Sequence, residues 1–264
     1  VKTTTGALIT KQLDSYAWDP AGNLTGVTDT IPATPVQTCN HYDVLNRLDH
    51  SWTTTATTCN TSDVTSQADP SGGDIGYNTS WAYSPDGNIT STRRGNTTNT
   101  YAYDPNHPHA ASSSGAGTAY TYPGSTGLMT KRTTPDGTDT LEWDALDHLA
   151  SVSRAGTTQF AHAADGTRLI RLTPDGTATL SIPGQEVDIA AGATTAARRY
   201  YTLAGTTIAV RTTDQGLIWQ SNDRQNSVDL QVTDTTAATR AGFTDPSGQP
   251  RTPTSLATAR SRLG

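Results

Sequence analysis

Little in this sequence can build a thick apolar core. Only 33% of the 264 residues are hydrophobic, with two Phe and one Met. No run of about 20 apolar residues occurs, so no membrane-spanning helix is expected. Basic charge is also scarce. Lys and Arg number 18 against 24 Asp and Glu, a net charge of −6. No basic cluster is present to neutralise phosphates, which argues against a nucleic-acid partner. No apolar periodicity predicts an amphipathic helix longer than two turns. Val1-Lys2-Thr3 offers neither an initiator Met nor an apolar leader, so the chain is expected to begin inside something larger.

Catalytic and metal signatures are equally thin. There is no Gly-x-Ser-x-Gly elbow. Asp144, His148, Ser151 and Ser153 lie close in sequence, but on a turn and strand without an oxyanion-donor signature. Glu142, Asp188, Asp223 and Asp229 leave a glycosidase pair to be judged by geometry alone. The Pro in His107-Pro108-His109 spoils a shared strand face, and the turn aspartates come singly where calcium needs six to eight oxygens. The expectation is no enzyme, no metal and no cofactor.

What the chain has is a phrase that returns. Tyr16-Ala17-Trp18-Asp19-Pro20-Ala21-Gly22-Asn23-Leu24 reads as a strand end, a tight turn and a strand start. Pro presets φ, Gly supplies positive φ, and Asp and Asn bond to their own backbone. The ring before the turn recurs as Trp18, Tyr42, Tyr83, Tyr103, Tyr122 and Trp143, at steps of 24, 41, 20, 19 and 21 residues. Asp19, Gly22, Asp43, Asp86, Gly87, Asp104 and Asp144 fall in the following turns, and Asp165 and Gly166 continue the series with the ring lost. A hydrophobe follows most turns: Leu24, Leu48, Ile89, Leu128, Leu149, Leu169. A period of about 20 residues marks a repeat architecture and holds two ordinary strands with their turns. The expected fold is therefore all-β, a long antiparallel meander of hairpins. About one residue in five is Thr, which suits a solvated sheet face.

Aromatic-Asp-x-x-Gly-x-Leu at this period resembles the RHS/YD-repeat proteins. Tyr42-Asp43-Val44-Leu45-Asn46-Arg47-Leu48 is the nearest copy, with Asn46 where Gly is usual. The segments 199–212, 223–227 and 244–251 look like the lead into the RHS-associated core of bacterial, especially actinobacterial polymorphic-toxin, members. The resemblance implies a curved, spiralling sheet forming part of a hollow shell around a C-terminal toxin or effector absent from this chain. It implies as partners the rest of that shell and its effector, and a secreted or cell-surface location. Asp245-Pro246-Ser247-Gly248-Gln249 reads as a turn tip ahead of the self-cleaving core, so no cleavage residue is carried over. Residues 1–236 are assigned to the repeat sheet and 237–264 to the lead-in.

Other readings stay open. Cys39 and Cys59 sit one repeat apart, so neighbouring hairpins could bring them within disulfide reach, favoured in an exported protein, or leave two free thiols. The rings could fix strand register or stack on surface glycans, which makes an exported adhesion or carbohydrate-binding module one rival function and a carbohydrate-active β-helix or β-barrel enzyme the other. Residues 31–40 read as a Pro-bearing loop or edge connection, 59–76 as a longer excursion and 106–115 as a polar loop. Thr134–Thr138 and Thr173–Thr177 read as two copies of one hairpin tip.

Overall fold

A computed structural model describes residues 10, 13–29, 36–54, 56–60, 76–115, 117–223, 226–233, 239–241 and 245–248. Residues 31–35 of the expected connection, most of the excursion over 59–76, Gln249 and the tail from 252 lie outside them, as do residues 1–3. The described residues contain strands and turns and no helix. They fall into two units, residues 1–98 with 219–264, and residues 99–218. The boundary expected at 236/237 falls inside the first.

The first unit holds β1 (Asp14–Trp18), β2 (Leu24–Asp29), β3 (Val36–Tyr42), β4 (Leu48–Thr54), β5 (Asn78–Tyr83) and β6 (Ile89–Arg94). Each pairs antiparallel with the next. β7 (Thr97–Tyr103) and β19 (Gly216–Asn222) straddle the division, and β20 (Val228–Thr233) pairs with β21 (Thr239–Ala241). Burial concentrates on β4, where Ser51, Trp52, Thr53 and Thr54 are all at most 3% exposed. The row Gly26–Cys39–Trp52 crosses β2, β3 and β4, and opposed residues share a face. Cys59 lies over that row, bonded to Cys39 and 3.5 Å from where a Cβ on Gly26 would sit. The Tyr77 hydroxyl lies 2.7 Å from Ser51 Oγ, and its amide donates to Thr53 Oγ1.

The second unit holds β8 (Ala111–Ser114), β9 (Ala119–Thr121), β10 (Lys131–Thr134), β11 (Gly137–Trp143), β12 (Leu149–Ser153), β13 (Thr157–His162), β14 (Arg168–Leu172), β15 (Ala178–Ile182), β16 (Gln185–Ala190), β17 (Ala193–Leu203) and β18 (Thr206–Thr212). From β7 to β18 each strand pairs antiparallel with its successor. Strand order in space is therefore strand order in sequence, and successive turns alternate between the two ends of the strands. The row Phe160–Arg171–Thr179–Asp188–Ala196 crosses one face. The adjacent row Ala161–Ile170–Leu180–Val187–Ala197 crosses the other. The apolar row is half open, with Ile170 41% exposed, while Thr179 on the polar row is 2% exposed.

Three expectations are corrected here. Residues 36–40, read as part of the Pro-bearing connection, belong to β3, because they complete the ladders of β2 and β4 on either side. Residues 111–114, read as loop, form β8 and pair with Tyr101–Tyr103; the open ladder of β7 overrides the weak strand preference of a serine run. The two Thr-Pro-Asp-Gly-Thr segments are not copies. At 134–137 the strands close through a two-residue tip, with Thr134 opposite Gly137. At 173–177 the same letters make a longer turn, Thr173 N–H donating to Thr177 O at 2.9 Å and Gly176 N–H to Thr173 O at 2.9 Å.

Candidate functional site

That longer turn is the repeating element of the molecule. The first turn residue donates its amide to the carbonyl of the fifth, and the fourth donates back to the carbonyl of the first. Asp19, Asp43, Ser84, Asp144, Ala163, Thr173 and Asp223 each open one copy. This is a tight turn closed by a residue in the left-handed region, with a bulge that re-aims the returning strand. Gly22, Gly87, Gly166 and Gly176 hold the left-handed slot in four copies, and Asn46, Asp147 and Asn226 hold it at φ 59°, 62° and 62° in the others. Asn46 thus does what the usual glycine does, since Asn tolerates this region. The register shifts at Ala17/Trp18, His41/Tyr42, Ala82/Tyr83, Ala102/Tyr103, Glu142/Trp143 and Ala161/His162. Trp18, Tyr42, Tyr83, Tyr103 and Trp143 are therefore the residues at the bulges, whereas Tyr122 lies just past the end of β9.

The turn carboxylates act on their own backbone. Asp43 Oδ1 accepts from the amides of Leu45 and Arg47 at 2.8 and 3.0 Å, and Asp144 Oδ1 from those of Leu146 and His148 at 2.8 and 2.9 Å. Asp19 and Asp104 accept in the same way. Asp86 and Asp165 stand two residues into their turns, Asp86 accepting from the side-chain amide of Asn88 and Asp165 from the backbone amide of Thr167. The amide of Arg47 holds Asp43 below the usual carboxylate range, followed by the guanidinium, and the amide of His148 does the same for Asp144.

Three of the rings tie a repeat to its neighbour. Tyr42 donates its hydroxyl to Leu24 O at 3.0 Å, Tyr83 to Leu48 O at 2.6 Å, and Trp143 its indole N–H to Met129 O at 2.8 Å. A basic side chain near the turn's end adds a second contact at three of the turns. Arg47 pairs with Asp43 and lies 4.5 Å from the centre of the Tyr83 ring. His107 pairs with Asp104 and lies 6.2 Å from the Tyr122 ring. His148 pairs with Asp144, and the ring it meets, 5.1 Å away, is His162. His162 immediately precedes the Ala163 turn, so the slot read as having lost its ring carries an imidazole. The signal was in the sequence, one residue before the turn. Asp144, His148 and His162 together place three ligand atoms within 4.8 Å of one another.

Other sequence candidates are accounted for by local bonds. Ser151 donates to Glu142, and Ser153 pairs with Thr157. Asp188 accepts from Thr179 and from Arg198. Asp245 is buried and pairs with Arg94, while the amides of Ser247 and Gly248 bond back to it, a turn tip like the others. Asp139, 4% exposed, escaped the sequence reading. It accepts from Arg154 at 2.7 Å and Arg132 at 2.9 Å, and the Arg154 bond leads in pulling its carboxyl below the usual range.

No protein-family model matches the sequence, and no curated protein does. Among solved structures the chain is similar to one of the Photorhabdus luminescens Tc holotoxin pore, at 16% identity and a TM-score of 0.37. It is also similar to one of TcdB2-TccC3-TEV, at 15% and 0.38, and to one of TcdB2-TccC3 without its hypervariable C-terminal region, at 15% and 0.37. Each match covers 94% of this chain, which spans 17% or 18% of the other. Likeness at these TM-scores is partial, and the hairpin repeat described above stands without it.

Proposed function

We propose that the chain is a length of wall from an RHS-type shell that encloses and helps deliver a C-terminal effector. One observation carries this reading. A single turn recurs seven times among the described residues, and at Tyr42, Tyr83 and Trp143 the ring before it bonds back to the preceding repeat. A sheet linked edgewise in this way can be extended repeat by repeat without a second layer. The disulfide supports an exported location. Electron microscopy of the parent polypeptide tests the proposal, with a hollow particle expected and an effector that resists protease until the particle is denatured. A compact particle without a lumen, or an effector digested at once, overturns it.

The rival reading, a surface adhesion or carbohydrate-binding module, is favoured by Trp18 and Trp219, 52% and 48% exposed. Saturable glycan binding lost on Trp219→Ala would select it.

A further inference from the structure

We propose that Asp144, His148 and His162 form a site for one divalent cation of the zinc class, clipping the β11–β12 turn to the β13–β14 turn. The proposal is independent of the shell reading. It starts from how the repeat disposes its atoms. Asp144 Oδ1 is held by the amides of Leu146 and His148, which leaves Oδ2 facing His148 Nδ1 at 3.2 Å. That gap matches the donor–donor edge of about 3.3 Å in a tetrahedron of zinc bonds near 2.0–2.1 Å.

Comparison with the other turns shows what is special. Where Arg47 meets Tyr83 and His107 meets Tyr122, the second ring offers only a π face and a hydroxyl. Where His148 meets His162, the second ring offers a nitrogen lone pair. Antiparallel pairing through β12 and β13 puts both turns at the same end of the strands, so the two imidazoles and the carboxylate converge. Among the described residues no hydrogen bond holds the His162 imidazole, whose one partner is the His148 ring. Gly166 leaves the room, since a Cβ there would stand 3.1 Å from His148 Nε2.

The donor chemistry selects the ion. Two neutral imidazoles and one carboxylate suit zinc, nickel or copper, whereas calcium and magnesium require an oxygen shell. Three protein donors leave a fourth position to water. The imidazoles are partly exposed and Asp144 is exposed, so a hydrated ion can reach them.

The test is zinc titration by calorimetry, with cobalt absorption as a second reporter. The wild type should take up one equivalent. His162→Tyr places in this slot the residue found at 83 and 122, keeping the ring and removing the donor. It should melt without metal as the wild type does, yet bind zinc more than about tenfold more weakly, a loss that outer-shell changes alone produce. His148→Arg, which copies position 47, should do the same. Imidazole NMR of the wild type needs no variant, and zinc should move the signals of His148 and His162. The proposal is overturned if the wild type takes up no stoichiometric zinc. It is equally overturned if His162→Tyr binds as tightly, or if zinc moves only other histidines.

Discussion

The first unit and the second carry the same turn but bury different things. Around β4 the first unit encloses Trp52, Cys39, Ser51 and Thr53, with the disulfide segment over one face and Tyr77 reaching Ser51. The second unit's buried residues include Asp139, Ser151, Thr179 and Glu186. Each is matched: Asp139 by two arginines, Ser151 by Glu142, Thr179 by Asp188, Glu186 by Tyr200. Buried polar atoms without partners cost more than a hydrogen bond returns, so this pairing lets a thin sheet exist. The repeat specifies strand order and turn geometry; what steadies the strands is decided locally, chiefly by bulk around β4 in the first unit, where Asp245 also pairs with Arg94, and by paired polar groups in the second.

Four changes should separate the two. Trp52→Ala should have the largest effect, about 3–5 kcal/mol, as for large aromatic truncations in packed sites. Hydrogen exchange should show the loss across β2–β5, with β11–β17 protected as before; equal loss in both units would erase the distinction. Reducing Cys39–Cys59 comes next. Its 20-residue separation corresponds to about 3 kcal/mol on the loop-entropy estimate, and melting with and without reductant should lower the first unit's transition alone.

Asp139→Ala should cost about 1.5–3 kcal/mol, the range for hydrogen bonds to charged groups, and loosen β10–β12 only. Unchanged exchange there would remove the case for paired charge as the second unit's support.

Mild acid should act most weakly, and on the first unit first. Burial lowers the pKa of His50 below its ordinary 6.5. The unfolded chain therefore takes up the proton more readily, and stability present above pH 6.5 falls as pH drops below it. His50→Gln should remove that dependence. The turn aspartates Asp19, Asp43, Asp104 and Asp144 are all lowered from 3.8. Their contribution is complete above that value and is lost as pH falls through their folded-state values, in both units. A melting series across pH should show the two steps in that order.

Much of this was legible in advance. The strands expected at 179–182, 198–202, 207–212, 217–220 and 228–232 lie within β15, β17, β18, β19 and β20. Ring, Asp and left-handed residue predicted most of the turns because those preferences are local, but after Tyr103 the turn runs longer, the Asp104 amide reaching Ala110 O. The imidazole in the ring slot was missed because a search for Trp and Tyr passes over His162. Gly156 was silent for another reason: a Cβ there would come within 2.7 Å of Pro174, a contact between tips 18 residues apart that no local preference encodes.

The order of hairpins and the bend between them follow from the amino-acid sequence alone, because backbone sterics at Asp, Pro, Gly and Asn act within five residues. Only the folded chain decided that one pentapeptide, Thr-Pro-Asp-Gly-Thr, closes as a two-residue tip after β10 and as the longer turn after β14. The register of the flanking strands sets how many residues the tip must span, and register is settled by partners far away in the chain. The meeting of Asp144, His148 and His162 has the same origin. Two strands had to pair before the ends of two turns could share one place.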